Sequence, residues 1–113
     1  MKKTIKVLYL PLNDQPKLVE IANTLEAAQQ LVGGYIEVLG IGQTMNIVWH
    51  EEGRLLSLPQ NPHTKKFIIQ SDGRTPEIFG SVFIMGPCDK DGHNTSISKR
   101  DAETILRVLS DAA

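Results

Sequence analysis

Two consecutive glycines inside QQLVGGYIEVLG (Gln29–Gly40) constrain this chain more than any other feature. Upstream, Asn23–Glu26 reads Asn-Thr-Leu-Glu, the pattern of a capping box, and Leu25, Ala28, Leu31 and Val32 recur on one side of a short helix. Downstream, Tyr35–Leu39 reads as a strand. Gly33 stands where a helix end takes a left-handed residue, and Gly34 lets the chain turn into the strand. A helix this short is not stable alone, so its apolar side must lie on a sheet. In the strand, Ile36 and Val38 are expected to face the helix. Tyr35, Glu37 and Leu39 point the other way, toward water, a ligand or another subunit.

The rest of the chain supplies the sheet. Thr4–Leu10 is β-branched and apolar and ends at Pro11, and Lys17–Ile21 is expected antiparallel to it. Met45–His50 alternates cleanly, and Gly53 then predicts a short positive-φ turn into a further strand, Arg54–Leu58. Phe67–Ile69 reads as a short strand, Ser71–Glu77 as turns, and Ile78–Gly86 as a central strand with Gly80 marking a bulge or a close backbone approach. Ser98–Asp101 caps a last helix running to about Asp111, with Ala102, Ile105, Leu106, Leu109 and Ala112 as its apolar stripe. The expected fold is a single α+β domain over residues 1–113. It has a mostly antiparallel sheet with two short helices packed on one face.

Composition narrows the function classes. A net charge of -1 gives no footprint for DNA or RNA. No apolar run approaches the ~20 residues of a membrane helix. The single Cys88 excludes an internal disulfide and suits a reducing cytosol. Neither a Gly-x-Gly-x-x-Gly nor a phosphate-loop Gly-Lys-Ser/Thr occurs, and Gly33-Gly34 follows its helix rather than opening one. His50-Glu51-Glu52 sits beside a glycine turn and reads as solvated charge, since adjacent glutamates on a strand cannot both share a face with the histidine. Asp89-Lys90-Asp91-Gly92 begins like a calcium loop but lacks the closing glutamate, and reads as a turn. No catalytic residue, metal site or cofactor is assigned.

A binding reading remains. Arg54, Asn61, His63, Thr64, Lys65 and Lys66 surround the polar loop after Pro59. Arginine and lysine suit phosphates, Asn and Thr suit bases or ribose, and Tyr35 or Trp49 offers a stacking ring.

The segments LVGGYIEV and HEEGRLLSLPQN, followed by IFGSVFIMG, together resemble a family of small phage and mobile-element proteins known only as a domain of unknown function. In that family a Leu-x-Gly-Gly-x-x-Glu segment precedes Asn-Glu-Glu-Gly-x-Leu and then Pro-x-Asn; here His50 stands where the asparagine usually is. The resemblance runs from about Thr4 to Leu109. It implies a phage or plasmid accessory protein acting against a host system, in the bacterial host cytosol. The expected activity is therefore anti-defence by binding. Its most concrete form is a homo-oligomer, at least a dimer, that sequesters a nucleotide immune messenger of cyclic-nucleotide or ADP-ribose type through Arg54, Asn61, Thr64, Lys65, Lys66, Tyr35 and Trp49. The rivals are a protein-protein inhibitor of a host defence enzyme, marked by an exposed apolar patch without a deep pocket, and a small nucleotide hydrolase using Glu51 or His50.

Overall fold

The computed structural model describes residues 3–66 and 77–111, and only the backbone of Lys65 and Asp111. Five strands form one antiparallel sheet: β1 (Thr4–Leu10), β2 (Lys17–Ala22), β3 (Ile36–Ile41), β4 (Met45–His50) and β5 (Val82–Met85), in the order β2-β1-β5-β4-β3. Two helices complete the fold, α1 (Leu25–Val32) and α2 (Lys99–Asp111). The α+β class and the antiparallel sheet are as expected. β1 and β2 form one hairpin and β3 and β4 another. β5 joins the two, with Ile84 between Leu8 and Ile47, and Phe83 between Tyr9 and Val48. The expected central strand is thus present, though its regular ladder is shorter than Ile78–Gly86.

Strand alternation sorts the core into two layers. Ile5, Val7, Val48, Phe83 and Met85 pack with Ala28 and Val32 of α1. Leu8, Leu10, Ile47, Val82 and Ile84 pack with Ala102, Ile105 and Leu109 of α2. Each face therefore carries one helix, which corrects the expectation of two helices on one face. The reason lies in the strands: β1, β4 and β5 are apolar on both sides, and a sheet apolar on both faces needs cover on both.

A second correction concerns Arg54–Leu58. Residues 51–57 form successive turns, not a strand, with N–H groups of Leu56 and Leu58 donating to the carbonyls of Glu52 and Gly53. The sheet order gives the reason. β3 and β5 already occupy both edges of β4, so no third strand can pair with it. Gly53 does not take a positive φ; an added Cβ there would lie 2.6 Å from the Phe79 carbonyl oxygen. The expected strand Phe67–Ile69, the turns before Glu77, and Ala112 lie outside the described residues.

The helix ends follow local rules. Thr24, not Asn23, caps α1: its Oγ1 accepts the N–H of Ala27 at 3.1 Å. Gly33 closes the helix at φ 94°, and the N–H groups of Gly33 and Gly34 both donate to the Gln29 carbonyl. Ser98 Oγ accepts the N–H of Asp101 at the start of α2. Among the described residues no helix is long and apolar enough to cross a membrane.

Candidate binding site

The seven residues assigned to a ligand from sequence fall in separate places. Asn61 is fully buried. Its Nδ2 donates to the carbonyls of Leu10 and Gly80 at 2.9 and 3.0 Å, and its Oδ1 accepts the N–H groups of His63 and Thr64. Both amide donors and both acceptor lone pairs are thereby committed. Asn61 pins the polar loop to the sheet and faces no solvent. Thr64 is likewise buried, its hydroxyl donating to the Asn61 carbonyl.

The cations do not converge. Arg54 is exposed, pairs with Glu77 at 3.3 Å, and lies over the Phe79 ring at 5.8 Å. Lys66 instead lines a depression of about 410 Å³ with Gln15, Pro16, His63, Leu106 and Ser110. There His63 Nε2 lies 3.1 Å from the Asp14 carbonyl oxygen. Of Lys65 only the backbone is placed, in the single 3-10 turn Thr64–Lys66. Trp49 packs on the α2 side of the sheet, half-buried against the core. Tyr35 sits at the start of β3, on a different depression.

That second depression, of about 300 Å³, is lined by Gln29, Gly33, Gly34, Tyr35, His50, Glu52 and Leu56. It joins the glycine pair to the turn after β4. The local chemistry explains why these distant segments meet. The Tyr35 carbonyl accepts the N–H of Glu51 at 2.8 Å and extends the β3–β4 pairing by one residue. This brings the glycine pair beside His50, which is only 5% exposed. A Cβ on Gly34 would overlap Nε2 of that ring and come within 2.7 Å of Cε1. Glycine is needed here for close approach, in addition to the left-handed cap at Gly33.

The orientation of His50 is fixed. Its Nδ1 accepts the backbone N–H of Glu52 at 3.0 Å. Nδ1 therefore carries no proton, and the proton resides on Nε2. Nε2 has no hydrogen-bond partner among the described residues, and no buried side-chain nitrogen or oxygen is left unsatisfied. Nε2–H is thus a fixed donor that meets solvent where His50 lines this depression. Two exposed apolar side chains line the same depression, Tyr35 at 65% and Leu56 at 56% exposure, and Leu55, next in the chain to Leu56, is 78% exposed. Among the described residues the lining holds one carboxylate, Glu52, and neither lysine nor arginine to hold a phosphate.

Sequence reasoning placed His50 correctly on its strand, but Tyr35, expected to open the next one, precedes β3 by one residue, and the two were not joined. It passed over Gln29 and Leu56 and read Glu52 as solvated charge. The available signal was that LVGGYIEV and HEEGRLL flank one hairpin, and strands of a hairpin end side by side.

The remaining polar cluster is a turn. Asp89 Oδ1 accepts the N–H groups of Asp91 and His93, and Gly92 takes φ 82°. Asp89, Asp91 and His93 lie close enough to share a cation; Asp89 is engaged by the turn N–H groups and lies 3.6 Å from His93 Nδ1. The His93 backbone bond is the main cause holding the Asp89 carboxyl below its ordinary value.

A family model described as a domain of unknown function (DUF3846) matches residues 5–110. No curated protein and no solved structure matches the chain.

Proposed function

This chain belongs to the DUF3846 family, a domain of unknown function, and we propose that it is a non-catalytic accessory protein of the cytosol that acts by binding a protein partner. The observation that carries this reading is the pair of exposed apolar side chains Tyr35 and Leu56 lining an open depression with one fixed donor, His50 Nε2–H. Contiguous exposed apolar groups on a soluble domain mark interaction surfaces. An aromatic and a leucine beside a single oriented polar group suit a partner's apolar side chain flanked by a backbone carbonyl. In the setting implied by the family resemblance, the partner is a host defence enzyme and the effect is its inhibition.

Sequestration of a nucleotide messenger becomes the second reading. It is less favoured because the described lining of the depression carries a carboxylate and neither lysine nor arginine, and because Arg54 is already paired with Glu77. What favours it still is the Lys66–His63 depression, roomy enough for part of a nucleotide. A hydrolase is less well supported: Glu51 is exposed and outside the lining, and His50 is held by a backbone group rather than by an acid.

The test is co-expression with bacterial defence systems, scoring phage plaques. Wild type is expected to restore plaques against one system. Tyr35→Asp and Leu56→Asp are expected to abolish this, while Lys66→Glu leaves it intact. The reverse pattern, together with calorimetric binding of a cyclic nucleotide by wild type, overturns the protein-partner reading in favour of sequestration.

A further inference from the structure

We propose that β3 is a self-association edge, through which two copies pair antiparallel about a two-fold axis at Val38. This is independent of the reading above and uses a different part of the surface.

Among the described residues β3 is one of the two edges of the sheet that pair with no further strand. Its pairing with β4 is unbroken from Ile36↔His50 to Ile41↔Met45, so the edge has no bulge. Its sequence, IEVLGI, contains neither lysine nor proline. Bulges, lysines and prolines are the usual devices that keep an edge from pairing. Apolar groups are exposed on both sides of the strand, with Val38 46% and Leu39 43% exposed.

The register identifies the occupant. The Tyr35 carbonyl points at β4. By alternation Glu37, Leu39 and Ile41 also address β4, and Ile36, Val38 and Gly40 direct their N–H and C=O groups outward. A second copy satisfies all of these in one symmetric register: Val38 opposite Val38, and Ile36 opposite Gly40 in both directions. On the other side of the sheet Glu37 then faces Leu39, so no carboxylate opposes its own copy. The symmetric contact buries apolar against apolar on the axis.

The opposite edge supplies the control. In β2 the pairing with β1 leaves Leu18, Glu20 and Ala22 outward. The equivalent symmetric register sets Glu20 against Glu20, and like charges directly opposite are destabilising. The two edges therefore differ in what a copy of the same strand meets. Edge pairing of strands this short is a small interface, below the about 1,000 Å² of a tight complex, so association belongs in the micromolar range.

Sedimentation velocity over a micromolar concentration series tests this. Wild type is expected to approach twice the 12.5 kDa chain mass. Val38→Lys, which places two ammonium groups on the axis, is expected to raise the dissociation constant at least about tenfold. Gly40→Pro, which removes one outward N–H at a position without positive φ, is expected to do the same. Thermal melts report whether each variant folds. Should neither fold, amide exchange on wild type decides: the N–H groups of Ile36, Val38 and Gly40 gain protection with concentration. A wild type that stays at the single-chain mass overturns the proposal. So do folded variants that associate like wild type, a mass that climbs beyond two chains, and concentration-independent exchange at those three amides.

Discussion

The imidazole of His50 lies against Gly34, sixteen residues earlier, closely enough that no Cβ fits between them. The ring cannot swing aside without giving up the bond from the Glu52 N–H to Nδ1. The pair therefore fixes the depth and the donor of the depression together.

Gly34→Ala is expected to destabilise the fold by about 1–3 kcal/mol through overpacking. His50→Ala in the same chain is expected to relieve most of that cost. A double-mutant cycle by denaturant unfolding measures the coupling. Additive costs would mean that the ring does not bear on Gly34. Gly33→Ala is a different case, because φ 94° strains any side chain irrespective of neighbours. Its cost of about 1–2 kcal/mol should not respond to His50→Ala.

Asn61→Ala is expected to cost on the order of 3 kcal/mol. It removes a donor from the carbonyls of Leu10 and Gly80 and the acceptor of the His63 and Thr64 N–H groups. Asn61→Asp should be nearly as damaging, since a carboxylate supplies no donor to the two carbonyls. Thermal melts at neutral pH give the ranking, and a neutral Asn61→Ala would contradict the pinning role.

Arg54→Ala is expected to change stability by less than about 1 kcal/mol. Its pair with Glu77 is exposed on both sides, 78% and 57%, and exposed pairs contribute little. Urea unfolding of wild type and variant checks this. A larger loss would locate packing against Phe79 as the main contribution of that side chain.

The Asp89 carboxyl is expected to titrate below 3.8 in the folded protein. Its folded value is depressed because two backbone N–H groups, His93 foremost, favour the ionised form. The sign follows from linkage. The contribution to stability is present above the unfolded value and is lost as pH falls through the folded one. NMR titration of the side-chain carboxyl gives the midpoint, and one at or above 3.8 would contradict the turn geometry.

How much of this was legible from sequence depended on how local the determinant is. Gly33, the strand character of β3 and β4 and the start of α2 were readable because the deciding residues are neighbours in the chain. The face assignment failed because one helix was read in isolation, while Ile5 and Leu8 on opposite sides of β1 already required two covers. Arg54–Leu58 misled because its composition permits a strand, and only the sheet order forbids one. The proposed ligand set failed at Asn61 for a related reason. Its amide is consumed by backbone groups fifty-one and nineteen positions away, which no local pattern reveals. Pairing of Gly34 with His50 was hidden in the same way.

The position of β5 has a consequence for synthesis. β1–β2 and β3–β4 are local hairpins, each able to close as soon as it leaves the ribosome, but among the described residues it is Val82–Met85 that joins their ladders into one sheet. Until that segment emerges, the nascent chain exposes two inner edges, β1 and β4, both lined with the apolar residues of the future core. Late, non-local pairing of this kind slows folding and prolongs the interval in which strand edges meet the wrong partner. The chain is thus most exposed to aggregation, and most dependent on chaperones, during translation of the stretch between His50 and Val82.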